Sequence, residues 1–287
     1  MGKELTTIGV VGSGIMGAGI AQVASCAGKF QVILCDLDQP ALERGMKIIN
    51  KGLGKLLEKQ LIDQQEFEQI LSRITTTTEI QMVAGTDLVI EAVHENFAVK
   101  KEIFQALDTY APEETIFASN TSTFPITQLG ATVGNPSRLV GMHFFNPAPV
   151  MSLVEIIRGL GTGEDTAQTA VELANRLGKT PIEVHDSPGF VVNRILIPMI
   201  NEAVFLLAEG VCSALDIDEA MKLGAAHPMG PLALADLIGL DVCLHIMETL
   251  QSDLGDDKYR PCPLLKRYVQ AGKLGQKTGV GFHSYSG

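Results

Sequence analysis

Short apolar runs alternate with amphipathic segments along the first part of the chain. Apolar runs that end at polar or glycine-rich turns are typical of buried strands, and apolar positions three and four residues apart are typical of helices. The predicted strands are Ile8–Val11, Gln31–Cys35, Arg73–Thr76, Asp87–Ala92, Thr115–Ser119, Leu139–Phe144 and Leu153–Ile157. The predicted helices follow Gly14, start at Pro40, and cover roughly Asp63–Ser72 and Ala98–Tyr110. This alternation predicts an α/β fold with a doubly wound, Rossmann-type, mostly parallel sheet.

The pattern changes after about Ser187. Strand alternation gives way to long apolar-periodic segments at approximately 189–209, 216–224, 232–254 and 262–272. A turn cluster, Asp186-Ser187-Pro188-Gly189, precedes them. We therefore predict two domains, residues 1–186 with the sheet and residues 187–287 with helices only. The second domain is small for its apolar content, which favours packing against another subunit.

The stretch between the first predicted strand and helix is Gly12-x-Gly14-x-x-Gly17. In a dinucleotide-binding turn the first glycine allows the tight turn, and the second lets the backbone approach a pyrophosphate. The third glycine lets the helix pack closely on the strand. The N–H groups at the start of the helix, from Ile15 and Met16 onward, then face the phosphates.

Asp36 ends the second predicted strand, 19 residues after Gly17. A carboxylate at this spacing accepts hydrogen bonds from the adenosine ribose hydroxyls. No Arg or Lys follows immediately to bind a 2′-phosphate, so the sequence favours NAD over NADP. The alternative is a chance match among 29 glycines, which the spacing of strand, helix, strand and acid disfavours.

Composition and charge exclude several classes of partner and site. The formal net charge of −11 argues against nucleic acid or an anionic membrane surface as a partner. The five cysteines are widely spaced and form no C-x-x-C pair, so they indicate neither disulfides nor a metal site. We expect buried free thiols. Because no apolar run reaches membrane-spanning length, we expect a cytoplasmic protein.

Candidate acid–base residues follow the predicted strand Leu139–Phe144. Of the six histidines, His143 alone is expected at the ligand side of the sheet, and Glu155 follows 12 residues later in the next strand. If the proline-containing stretch between them folds back, the carboxylate fixes the imidazole tautomer and stabilises its cation. The alternative is a structural histidine and an unrelated glutamate on an edge strand. Spacing alone leaves both interpretations open.

Seven stretches together resemble the 3-hydroxyacyl-CoA dehydrogenase family, particularly its short, stand-alone form. They run in order along nearly the whole chain: GVVGSGIMGAGIA, DLVIEAVHEN, IFASNTS, GMHFFNPAPVMSLVEII, DSPGFVVNR, MKLGAAHPMGPLALADLIGLD and KTGVGF. The resemblance implies reversible, NAD-dependent oxidation of a (S)-3-hydroxyacyl-CoA, of short chain such as 3-hydroxybutyryl-CoA. It also implies a homodimer formed largely by the helical domain, which contributes to substrate binding.

The resemblance further implies roles for individual residues. His143 would be the catalytic base with Glu155 as its partner, and Ser122 and Asn193 would hold the substrate oxygen and the reactive end of the acyl chain. The positions expected around the nicotinamide and its ribose are Glu95, Lys100 and Asn120.

Lys55 and Lys59 correspond to a stretch that contacts coenzyme A. They continue a strip of lysines at four-residue steps with Lys47 and Lys51. From the pattern alone a solvated helix face is favoured over a strip that binds an anionic substrate.

Two other functions remain open at the level of sequence. One is a dehydrogenase of the same architecture that acts on a free hydroxy acid or sugar acid. The other is a dinucleotide-binding structural protein without catalytic activity.

Overall fold

The computed structural model describes residues 5–285 of the protein. The chain divides into two compact units, Met1–Ser187 and Pro188–Gly287. Among the described residues, none of the helices combines the length and apolarity needed to cross a lipid bilayer.

The first unit contains a sheet of eight strands in its described part. The strands are β1 (Thr7–Val11), β2 (Gln31–Cys35), β3 (Ile74–Thr77), β4 (Leu88–Glu91), β5 (Ile116–Ser119), β6 (Leu139–Phe144), β7 (Leu153–Arg158) and β8 (Thr180–His185). Their order is β3-β2-β1-β4-β5-β6-β7-β8, and every neighbouring pair is parallel except β6 and β7. The predicted doubly wound, mostly parallel sheet is confirmed. Its order reverses between β1 and β4, where such sheets bind ligands.

Helices connect the strands of this unit. They are α1 (Ile15–Cys26), α2 (Gln39–Glu58), α3 (Gln64–Ser72), α4 (Ile80–Ala84), α5 (Phe97–Tyr110), α6 (Ile126–Gly130) and α7 (Glu164–Arg176). The core consists of apolar strand residues, including Ile8, Val10, Leu34 and Ile90, packed against α1 and α2. Asp38 caps α2 and Asp63 caps α3 with a capping box, which explains where these helices begin.

The second unit is helical, as predicted. Its helices are α8 (Val192–Ala208), α9 (Ala214–Ala225), α10 (Pro231–Ile238), α11 (Leu240–Leu254) and α12 (Pro263–Gln270). The apolar-periodic segment at 232–254 is two helices, because Gly239 between them has a φ of +106°, which a helix does not accommodate.

Two buried carboxylates explain glycine positions in this helical unit. Asp218 accepts the N–H groups of Leu232 and Ala233 at the start of α10. Asp236 accepts the N–H groups of Phe282 and His283. A Cβ at Gly230 would overlap Asp218, and one at Gly281 would overlap Asp236. Packing therefore requires glycine at Gly230 of the HPMGP stretch and at Gly281 of the KTGVGF stretch.

All five cysteines are free thiols, as predicted, but not all are buried. Cys212 is exposed, because it lies in the turn between α8 and α9. Burial raises the pKa of Cys35 to about 11 and that of Cys243 to about 12, so these two thiols stay protonated at neutral pH.

Candidate active site

The glycine-rich turn joins β1 to α1 where the strand order reverses. Gly12 has a φ of +101°, and a Cβ there would lie 2.6 Å from the carbonyl oxygen of Ala92. A Cβ at Gly17 would overlap the carbonyl of Gly12, whereas one at Gly14 would meet no atom within 4 Å. The turn is therefore tightly packed at both ends and open at Gly14.

Helix α1 begins directly after this turn without a side-chain cap. Gly14 is its N-cap residue, and no acidic side chain lies in its first turn, which starts with Ile15 and Met16. Backbone N–H groups at a helix start, together with the positive end of the helix dipole, favour a bound anion. The open space at Gly14 and the uncapped helix start fit the pyrophosphate of a dinucleotide.

Asp36 lies beside the same turn. Its Oδ2 accepts the backbone N–H and the hydroxyl of Ser13, each at 2.6 Å, and its Oδ1 accepts the N–H of Leu37 at 2.7 Å. An ionised carboxylate has about four acceptor positions, so Oδ1 retains capacity for a ribose hydroxyl. The negative charge fits the unphosphorylated ribose of NAD and would repel a 2′-phosphate.

His143 and Glu155 are directly opposite each other in the antiparallel pair of β6 and β7. Glu155 Oε2 lies 2.8 Å from His143 Nδ1, and both side chains are buried. Opposed residues of antiparallel strands have neighbouring side chains, so the register brings the two together. Glu155 does not lie on an edge strand, because β8 pairs with β7 on its other side. The alternative of two unrelated residues is therefore wrong.

This pair has the geometry of an acid–base group. When His143 Nδ1–H donates to the carboxylate, Nε2 is the basic nitrogen, and the carboxylate stabilises the cation formed when Nε2 binds a proton. The ring of Phe145 packs beside the imidazole, with 4.5 Å between the two ring centroids.

One oxygen of Glu95 holds the loop after β5. Glu95 Oε1 accepts the backbone N–H groups of Ser122 and Thr123, at 2.9 and 3.1 Å, and the hydroxyls of Thr121 and Thr123, at 2.5 and 2.8 Å. The Ser122 hydroxyl lies 3.5 Å from the same oxygen, at the limit of a hydrogen bond. Glu95 thereby fixes the backbone that presents Ser122.

A buried ion pair supports Glu95. The Lys100 ammonium lies 2.7 Å from Glu91 Oε1 and 3.1 Å from Glu95 Oε2, and Lys100 and Glu91 are 1% and 0% exposed. Ser119 donates its hydroxyl to Glu91 Oε2 at 2.6 Å. Burial raises the pKa of the Glu95 carboxyl, but Lys100 and the hydroxyls of Thr121 and Thr123 outweigh burial. The pKa of Glu95 therefore lies below its ordinary value.

The sequence reasoning missed the parts that Glu91 and Thr123 play in this network. A charged residue inside the apolar stretch DLVIEA was the available signal for Glu91, because a buried carboxylate requires partners.

Asn120 connects two strand ends. Its side-chain oxygen accepts the N–H of Phe144 at 2.9 Å. This bond ties the residue after β5 to the end of β6, next to His143.

The remaining predicted site residues lie elsewhere in the chain. Lys55, near the end of α2, and Lys59, its C-cap residue, are exposed, as are Lys47 and Lys51. Asn193 belongs to the helical unit, where it is the second residue of α8 and is buried.

Comparisons with known proteins identify the family. Residues 7–187 match the model described as 3-hydroxyacyl-CoA dehydrogenase, NAD binding domain, and residues 189–285 match the C-terminal domain of the same family. The chain is 53% identical over 282 residues to a probable 3-hydroxybutyryl-CoA dehydrogenase of Bacillus subtilis strain 168, with 98% of each chain covered.

Other relatives extend this similarity. The chain is 44% identical to the human mitochondrial hydroxyacyl-coenzyme A dehydrogenase, over 96% of this chain and 90% of the human one. The crystal structure of (S)-3-hydroxybutyryl-CoA dehydrogenase from Ralstonia eutropha matches with a TM-score of 0.95 and 46% identity, over 99% of this chain and 100% of that chain. With both family domains matched in order along its length, the chain belongs to the 3-hydroxyacyl-CoA dehydrogenase family.

Proposed function

We propose that the protein catalyses the reversible, NAD-dependent oxidation of a (S)-3-hydroxyacyl-CoA to the 3-oxoacyl-CoA. The observation that carries the proposal is the buried hydrogen bond of 2.8 Å between His143 and Glu155 at the carboxyl end of β6. The glycine-rich turn, Asp36 and the Ser122 loop follow the carboxyl ends of β1, β2 and β5 in the same sheet. Ligands of open α/β sheets bind beyond these ends.

His143 moves the proton. In the oxidation direction Nε2 takes the proton of the 3-hydroxyl while the hydrogen on C3 leaves as hydride. NAD, when bound, supplies the hydride acceptor. Glu155 keeps Nδ1 protonated and stabilises the charge that the imidazole gains. In the reduction direction the imidazolium returns the same proton to the substrate oxygen.

Ser122 and Asn193 hold the substrate oxygen and the reactive end of the acyl chain. A hydroxyl and an amide can each donate a hydrogen bond to an oxygen that gains negative charge when a ketone is reduced. The four bonds between Glu95 and residues 121–123 support this role for Ser122, because they fix its backbone before substrate binds.

The proposed cofactor site combines the turn and the strand ends. Gly12, Gly14 and Gly17 shape the turn, the N–H groups from Ile15 and Met16 onward bind the pyrophosphate, and Asp36 binds the adenosine ribose. Glu95, Lys100 and Asn120 line the nicotinamide end. Lys100 forms an ion pair with Glu95, and Asn120 accepts the N–H of Phe144. These contacts support a role of the three side chains in positioning the nicotinamide.

Lys55 and Lys59 bind the anionic coenzyme A moiety. Their exposure supports this assignment, since neither side chain forms an ion pair with another residue of the range 5–285. Relatives named 3-hydroxybutyryl-CoA dehydrogenase support a short acyl chain.

The protein acts as a homodimer through its helical unit, in the cytoplasm. Exposed large apolar side chains on this unit, including Ile195, Leu215 and Leu223, support the dimer. Five free thiols support a reducing compartment.

The test is steady-state kinetics of the purified protein with acetoacetyl-CoA. We expect turnover with NADH, much lower kcat/KM with NADPH, and much lower kcat/KM with free acetoacetate. Preference for the free acid would instead identify a dehydrogenase of hydroxy acids. Dinucleotide binding without turnover of either substrate would identify a non-catalytic protein. A series of 3-oxoacyl-CoA esters of increasing length then measures the preferred chain.

A further inference from the structure

Lys179 lies between α7 and β8, outside every stretch used so far, and its side chain is only 9% exposed. Its ammonium donates to two backbone carbonyls, those of Ala148 at 2.7 Å and Met151 at 2.9 Å. Both carbonyls belong to the connection 145–152 between β6 and β7. This lysine therefore ties together the segment that joins the strands of His143 and Glu155.

The connection also contacts the nucleotide-binding helix. Ala148 is buried, and a Cβ added to Gly19 of α1 would lie 3.2 Å from its Cβ and 3.3 Å from Pro149 Cδ. At its start, Phe145 packs against the imidazole of His143. The connection therefore lies against both the imidazole ring of His143 and helix α1.

The Lys179 ammonium is buried, which is energetically unfavourable for a charged group. Among residues 5–285, no carboxylate lies within ion-pair distance of Lys179. Burial lowers its pKa. Burying a cation without a carboxylate partner is unfavourable, so an apolar side chain would be favoured here if only packing mattered. What the ammonium adds is its hydrogen-bond donors to two carbonyls.

We propose that Lys179 is a positioning residue for proton transfer. It fixes the connection 145–152, and through this connection it holds the His143 ring in position relative to α1. The inference rests on the proposed function for its kinetic consequence. Its structural part, the ordering of residues 145–152, stands independently.

The test compares Lys179→Met with Arg176→Met. Arg176 is a matched control on the same part of the chain, because it lies at the end of α7, donates to one backbone carbonyl, that of Leu5, and covers the ring of Phe30. Both variants lose a cation that donates to a backbone carbonyl, but Arg176 is exposed whereas Lys179 is buried. Only Lys179 contacts the connection 145–152.

Hydrogen exchange and kinetics are then measured on both variants. We expect Lys179→Met to speed amide exchange in residues 145–152 and to lower kcat for acetoacetyl-CoA by about 10- to 100-fold, with little change in KM. Arg176→Met should lower the melting temperature while leaving kcat per folded enzyme and exchange in 145–152 unchanged. Lys179→Arg, which retains the donors, should recover most of the lost kcat.

Several results would overturn the inference. One is equal kcat for Lys179→Met and wild type, and another is a loss shared with Arg176→Met. A third is Lys179→Arg with a kcat no higher than Lys179→Met. If Lys179→Met does not fold, Gly19→Ala disturbs the connection from the α1 side and should lower kcat in the same way, and unchanged kcat there contradicts the proposal. Failure of the proposed function is separate, because wild type would then not reduce acetoacetyl-CoA.

Discussion

A single oxygen atom of Glu95 fixes the loop after β5. The sequence places Glu95 near the nicotinamide only through family resemblance. In the structure the same carboxylate accepts four hydrogen bonds from residues 121–123. These donors lie 26 to 28 residues away in sequence, so local spacing could not reveal the contact. The His143–Glu155 contact was one of two interpretations that spacing left open, and the antiparallel register of β6 and β7 decides between them.

We predict that Glu95→Gln lowers the free energy of unfolding at pH 7 by about 1.5–3 kcal/mol, the range for hydrogen bonds to a charged group. The pKa of Glu95 is lowered in the folded protein. Its charge therefore stabilises the fold fully above the unfolded pKa of about 4.3 and loses this effect as pH falls through the lowered folded pKa. Urea titrations at several pH values measure the difference.

The control is Glu102→Gln, an exposed glutamate on α5. This variant should match wild type at each pH. A stability gap for Glu95→Gln that stays constant below pH 4 would mean that packing, and not charge, accounts for the loss.

At the scale of elements, most of the sheet could be predicted because buried strands have dense apolar runs. The sequence reasoning missed β8 and α7. Strand β8 is an edge strand with mostly exposed positions, and it contains Pro181 and Glu183, which interrupt the strand pattern. The buried face of α7 is made mainly of Ala167, Ala170 and Ala174, whose small side chains give a weak helical signal. The short helices α4 and α6 were also missed, since five residues carry no periodicity.

The packing of the turn between β1 and α1 predicts different effects of substitution at two of its glycines. Gly17→Ala should lower the free energy of unfolding by about 1–3 kcal/mol, the typical cost of overpacking, since the new Cβ overlaps the carbonyl of Gly12. Gly14→Ala should cost about 1 kcal/mol or less, because space is open there, yet it should raise the Kd for NADH. Melting curves and NADH fluorescence titration measure both quantities. Unchanged NADH affinity in Gly14→Ala would argue against a pyrophosphate at this turn.

The lysines at the end of α2 lead to a prediction about the binding of coenzyme A. Replacing Lys55 and Lys59 together with Gln should raise KM for acetoacetyl-CoA by about 2- to 30-fold, because each exposed ion pair contributes about 0.2–1 kcal/mol. KM for the acetoacetyl thioester of N-acetylcysteamine, which lacks the phosphates, should not change. Lys47→Gln with Lys51→Gln is the matched control on the same helix. Equal effects on both substrates would contradict phosphate binding by Lys55 and Lys59.

At the scale of the whole molecule, the helical unit makes a prediction about assembly. Leu215 and Leu223 on α9 are 72% and 79% exposed. If they pack against a second subunit, Leu215→Glu with Leu223→Glu should yield monomers in sedimentation velocity at micromolar concentration, because burying the introduced charges is unfavourable. Leu160→Glu, at a 93% exposed position of the first unit, should stay dimeric. A wild-type monomer would refute the proposed dimer.

At this scale the order of the domains, a sheet followed by helices, could be predicted from the sequence, because the hydrophobic periodicity changes along the chain. The proposed role of Asn193 in substrate binding could not be derived from periodicity. Asn193 has the position of an ordinary helix-start residue in the sequence, and only the family resemblance marked it out.

In the proposed reaction His143, hydrogen-bonded to Glu155, performs the proton transfer. Its most direct test is kcat of His143→Ala for the reduction of acetoacetyl-CoA by NADH. We expect a decrease of about 10²- to 10⁴-fold, the contribution of general acid–base catalysis, with the Kd for NADH unchanged. Wild-type kcat in a folded His143→Ala variant that binds NADH would contradict it.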